Sequence, residues 1–145
     1  MRPISLLFAV PACLSLAACA TRLCGTGEPG QPVHINVTYA ADHTPRVEPE
    51  TCRVRSGVEV TWRGPLADST AFALEFPQGS PGTVTEGTPG RGYRSARSPV
   101  TVEAGEGSPR KVTIRVENKG NESIDHKYNV TANGHVLDPH IIIDR

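Results

Sequence analysis

Excess charge of one sign, long apolar runs, aromatic side chains and a sustained helical period are all scarce in this chain of 145 residues. Lys plus Arg and Asp plus Glu each number 15, so the formal charge is zero with neutral histidines. Non-specific nucleic-acid binding needs a cationic excess that releases counterions from phosphate, and that class is excluded. The longest apolar run, Ile4 to Leu16, falls short of the roughly 20 residues that a membrane-spanning helix requires. No stretch repeats apolar residues at helical spacing between caps, which argues against a helical bundle. Glycine and proline are plentiful instead, at 14 and 13 residues. That composition suits many short strands joined by turns.

A charged start at Arg2, a short apolar run and small residues behind it form the secretory pattern. The run closes in Leu16-Ala17-Ala18-Cys19, which resembles the lipobox of bacterial lipoproteins. The resemblance implies cleavage before Cys19, a diacylglycerol on its sulfur and a further acyl chain on the new amino terminus. One acyl chain anchors marginally, whereas two or more hold stably. Ala20, where that family uses Asp for inner-membrane retention, implies the periplasmic face of the outer membrane. A plain secreted protein cleaved after Ala18 is the competing reading. Removing Arg2 with the leader leaves 14 basic against 15 acidic residues. The expected organisation is a leader over 1–18, a lipidated flexible tether over 19–32 and one domain over 33–145. Gly25, Gly27, Pro29, Gly30 and Pro32 mark the tether.

Cys13 leaves with the leader and Cys19 takes the lipid, so Cys24 and Cys52 remain. In an oxidising compartment such a pair forms and keeps a disulfide. Closing that loop contributes about 3–4 kcal/mol in the chain-entropy model. Two free thiols, with Cys24 in a mobile tether, is the alternative. Neither cysteine belongs to a C-x-x-C, which removes support for a redox centre or a zinc ribbon.

Along the domain, apolar residues alternate with polar ones, the mark of half-buried strands. Val33, Ile35, Val37 and Tyr39 form the first such set, and a proline-containing loop is expected over 41–49. Cys52 and Val54 start a strand that turns at Ser56-Gly57 into Val58, Val60 and Trp62. Phe72, Leu74 and Phe76 alternate next, and a long loop rich in Gly, Pro, Ser and Thr is expected from Pro77 to Pro99. Val100 and Val102, then Val112, Ile114 and Val116, then Tyr128 and Val130, supply three more strands. The run His140-Ile141-Ile142-Ile143 reads as a buried last strand. Seven or eight strands with frequent turns predict an all-β, antiparallel Greek-key β-sandwich.

The segment from Cys52 through Ser56-Gly57 to Val60-Thr61-Trp62 resembles the early hairpin of the cupredoxin family. Tyr128-Asn129-Val130, followed by Leu137-Asp138-Pro139 and the aliphatic end, resembles its closing strands around the site loop. The likeness spans about residues 33–145 and implies a cupredoxin-like sandwich. A blue-copper site requires two histidines, a thiolate and a weak axial ligand. On this chain Val130 falls where the thiolate belongs, His135 where a histidine belongs and His140 near the methionine. No histidine lies between His43 and His126, and the only methionine is Met1. A type 1 copper site is therefore not expected.

Other constellations remain. His135 and His140 flank Asp138, and His126 precedes them, a set of imidazole and carboxylate donors that copper(II) or zinc accepts. Solvent-facing histidines without metal are the plainer reading, and no cofactor is expected. Ser123, Asp125 and His126 carry the residue types of a hydrolytic triad, but neighbours along a strand point in alternating directions and do not converge. Gly87, Gly90 and Gly92 lack the following helix of a phosphate loop. Arg91, Tyr93, Arg94 and Arg97 bring forked donors and a rigid ring to one loop, which suits protein contact. The sequence thus predicts a non-enzymatic binding or accessory lipoprotein with an envelope protein as partner. A periplasmic copper- or zinc-binding protein and an inhibitor or immunity-type lipoprotein are the alternatives.

Overall fold

In the computed structural model the described residues are Cys24, 30–93 and 98–145. They form thirteen strands and no helix. In chain order these are β1 (Val33–Tyr39), β2 (Pro45–Glu48), β3 (Thr51–Arg55), β4 (Glu59–Arg63) and β5 (Ala73–Phe76). There follow β6 (Gly82–Glu86), β7 (Thr88–Pro89), β8 (Val100–Glu103) and β9 (Lys111–Val116). The chain closes with β10 (Ile124–Lys127), β11 (Asn129–Ala132), β12 (His135–Leu137) and β13 (His140–Asp144).

One layer is the sheet β2-β1-β4-β9-β6. Facing it are a three-stranded sheet, β10-β13-β3, and a five-stranded sheet, β12-β11-β5-β8-β7. The last two are joined by a bent hairpin. There β10 runs into β11 through Tyr128, β12 runs into β13 through Pro139, and the Tyr128 amide donates to the Pro139 carbonyl at 3.0 Å. The fold is an all-β sandwich, with a mixture of pairings. β1 lies parallel to β4 and β3 parallel to β13, while the other eight pairings among the described residues are antiparallel. Parallel neighbours need long crossovers, which leave no mark on the two-residue period.

Three expectations are corrected. The loop over 41–49 contains β2, an edge strand that tolerates Pro45 at its first position because the unused amide side faces outward. The long loop over 77–99 contains β6 and β7. Gly82 lies so close to β9 that an added Cβ would run into the Arg115 carbonyl, so glycine here is a packing residue in a strand. Tyr128 lies at the bend between β10 and β11, and Val130 belongs to β11, so the two do not share one continuous strand.

The core lies between the layers and centres on Trp62, which is fully buried. Its ring meets Tyr128 edge-on with centroids 5.5 Å apart, and Tyr128 stacks on Phe76 at 5.7 Å. Trp62 Nε1 donates to the Tyr128 hydroxyl at 3.0 Å, so neither buried polar atom is stranded. Burial drives the Tyr128 hydroxyl far above the usual tyrosine range. Around this trio pack Ile35, Leu74, Val102 and Ile114, buried as their alternation predicts, together with Ile141 and Ile143. His140 and Ile142, of the run expected to be buried throughout, are only half-buried.

Candidate functional site

The strands deliver their loops to two ends. At one end Asn118 closes the structure. Its Nδ2 donates to the carbonyls of Glu122 at 2.7 Å and Ile143 at 2.8 Å, while Oδ1 accepts from the Gly120 amide at 2.8 Å. Its own amide donates to Ser56 Oγ at 2.8 Å. The turn at Ser56-Gly57 is tied in as well, since the Gly57 amide donates to the Val116 carbonyl at 2.7 Å and Gly57 has φ +88°. This is the closed end.

The other end presents ionisable groups. Between β1 and β2 the chain turns at Ala40–Thr44, where the His43 amide donates to the Ala40 carbonyl and the Ala40 amide to the Thr44 carbonyl, both at 2.9 Å. Between β11 and β12 the dipeptide Asn133-Gly134 makes the two-residue hairpin turn that Asn-Gly favours, with φ +52° and +77°. Asn133 Nδ2 then donates to the His43 carbonyl at 3.2 Å and links the two turns. Asp42 accepts from the Thr44 amide, which holds its carboxyl below the ordinary range, with a lesser contribution from the His135 charge. Asp68, in the loop after β4, accepts from Thr70 and is lowered for that reason, with a lesser contribution from His43. Tyr39, under this loop, is pushed up to about 12 by burial and by the nearby Asp68 charge. Ser108 Oγ and Arg110 Nε clasp the Leu66 and Ser69 carbonyls at 2.5 and 2.6 Å, and Leu66 itself stands 76% exposed. Asp42, His43, Asp68 and His135 thus share one end, fixed by turns and open to solvent. This is the open end.

The residues singled out in the sequence are dispersed. His135 belongs to the open end. His140 lies on the outer face of the three-stranded sheet, its Nδ1 3.0 Å from Asp125 Oδ1. His126 pairs in register with Ile141, one residue beyond His140, so it points to the opposite face, into the core. Asp138 is held by Lys127 at 2.5 Å and its carboxyl is lowered accordingly. His126, His135 and His140, the donor set of the alternative metal reading, therefore lie apart from one another. Among the described residues no three His, Cys, Asp or Glu side chains are grouped to hold one. Val130, at the place the resemblance gives to a thiolate, is fully buried and offers only methyl groups. His126 Nδ1 is buried without a hydrogen-bond partner, and desolvation lowers its pKa against a smaller upward pull from Asp125.

Ser123 Oγ donates to Asp144 Oδ1 at 2.6 Å, within a group that includes the two-pronged contact of Arg53 on Asp144. Ser123, Asp125 and His126 face three different partners or none, so no triad forms. Tyr93, expected at a contact surface, is 7% exposed, and its hydroxyl donates to the Gly82 carbonyl at 3.1 Å. It pins its loop to β6, and apolar area drew it inward. Arg91 is exposed, whereas Arg94 and Arg97 lie outside the described residues, as does Cys19 with its leader. Cys24 and Cys52 form a disulfide with Cα atoms 5.4 Å apart.

Comparison with protein-family models and with curated proteins finds no match.

Sequence reading missed Asp42, His43 and Asp68. A polar Asp-His-Thr triplet between strands was the available signal. Nothing in it announces that the Asn133 turn comes alongside.

Proposed function

We propose that this chain is an exported lipoprotein whose sandwich, cupredoxin-like in plan, is a non-enzymatic binding or accessory module of the outer membrane's periplasmic face. The single observation that carries the reading is the apolar run ending in Leu16-Ala17-Ala18-Cys19. The Cys24–Cys52 bridge supports an oxidising compartment. The Ser56-Gly57 turn joins β3 to β4 across the two layers without pairing them, so it is a crossing and not a hairpin. The cupredoxin likeness is supported by the closing strands β11 to β13 and by the meeting of Trp62 and Tyr128 at the centre of the core. Loops on a rigid sandwich are where binding residues sit. The open end, with Asp42, His43, Asp68 and His135 held by turns, is the favoured contact surface for an envelope protein.

Two measurements test this. A radiolabelled fatty-acid precursor enters the wild type and not Cys19→Ala, and an unlabelled wild type removes the anchor. Photocrosslinking from position 66 in intact envelopes yields adducts that Asp42→Ala with Asp68→Ala and His135→Ala diminishes. Adducts indifferent to those changes remove the contact surface.

A further inference from the structure

Cys24 lies on a sheet edge. The three-stranded sheet has the order β10-β13-β3, so among the described residues one side of β3 has no neighbouring strand. There the Cys24 amide donates to the Arg53 carbonyl at 2.9 Å, and the Cys24 sulfur bonds that of Cys52, which is fully buried. Cys24 itself is half-buried against the core. A covalent bond, a backbone hydrogen bond and apolar packing therefore hold this residue on the flank of the sandwich. It also occupies part of an edge that would otherwise be open to pairing with another chain.

From this we infer that the bridge resets the membrane leash, shortening it and moving its point of attachment from the closed end to the flank. The inference rests on the lipid anchor at Cys19 proposed above. Without the bridge the chain would enter the sandwich at Val33, where β1 begins at the closed end beside Val60 and the Gly57 turn. Fourteen Cα steps separate Cys19 from Val33, a maximum reach of about 50 Å. With the bridge the chain is tied to the sandwich at Cys24, five steps from Cys19, a maximum reach of about 18 Å. The headgroup layer of one leaflet is itself about 5–7 Å deep. A domain hung from the end of β1 carries its open end away from the membrane. A domain hung by its β3 flank lies beside the headgroups, and its open end meets partners seated in the same membrane. The glycines and prolines at 25–32 then lie inside the closed disulfide loop and add nothing to the reach.

The first comparison keeps the bridge, and a second removes it. Full-length lipidated chain is reconstituted in phosphatidylethanolamine/phosphatidylglycerol vesicles bearing an acceptor dye, with a donor amino acid at position 66. A flexible Gly/Ser insert of about twelve residues is placed either between Thr21 and Arg22 or between Gly27 and Glu28. The first insert lowers energy transfer by about half or more, and the second changes it by less than about a tenth, since only the first lies on the leash. In Cys24→Ser, shown folded by its circular dichroism, the second insert lowers transfer as strongly as the first. Inserts that act alike in the bridged protein overturn the inference while leaving the anchor intact. A wild-type chain that fails to float with the vesicles overturns both.

Discussion

The two ends of the sandwich are built from the same kinds of turn and reach opposite outcomes. At the closed end Asn118 satisfies the carbonyls of Glu122 and Ile143, and the Gly57 turn is sewn to Val116, so the polar groups are spent on one another. At the open end the side chains of Asn133, Ser108 and Arg110 fix loop carbonyls, Asp42 and Asp68 accept from Thr44 and Thr70 within their own turns, and the imidazoles of His43 and His135 face water. Rigid backbone that presents exposed imidazoles is an arrangement that serves recognition. Fully committed side chains serve closure.

Substitutions separate these outcomes by size. Trp62→Ala removes the ring under both ends and is expected to cost about 3–5 kcal/mol, read by urea unfolding. Retention of near-wild-type stability would contradict a core centred there. Asn118→Ala leaves two carbonyls without a donor and is expected to cost about 1–3 kcal/mol. A loss as small as that of an ordinary surface change would dissolve the distinction between the ends.

An acid titration gives the next effect. The folded-state pKa of His126 lies below its ordinary value of 6.5, because burial disfavours the charged ring. At pH below 6.5 the unfolded chain therefore binds the proton more readily than the folded one. Stability is complete above pH 6.5 and falls as the pH drops toward the folded pKa. Asp42, Asp68, Asp138 and Asp144, all lowered, add their losses only from about pH 3.8 downward. His126→Gln is expected to flatten the upper part of that decline. Urea midpoints at pH 7 and 5 check it, and an unchanged slope would refute it. Smallest is His43→Ala with His135→Ala. Open-end side chains without structural partners are expected to shift stability by no more than about 0.5 kcal/mol. A loss comparable to Asn118→Ala would make the open end a second closure.

The strands around Trp62 were legible because one buried face imposes alternation on Val33, Ile35 and Val37, and again on Val112, Ile114 and Val116. β6 was not, because it buries little and begins at Gly82. β2 was not, because its four residues begin at Pro45, and a proline reads locally as loop although Pro45 and Val47 are buried. Of the site, His135 was visible as a loop histidine. Its neighbour Asp42 lies on a turn far earlier in the chain, so only the approach of β2 to β12 brings the two together.

The sequence by itself determined the alternation that makes a two-layer β body and the cysteine spacing that allows a bridge. It also carries the short apolar run that ends in Leu16-Ala17-Ala18-Cys19. Those properties live in neighbouring residues, where periodicity and composition act. Tertiary structure alone decided which strands pair in parallel, that Tyr93 and His126 turn inward, and that four ionisable groups share one end. It also decided that Cys24 docks on the flank of β3. Each of these depends on residues far apart in the chain meeting in space, and no local pattern encodes such a meeting.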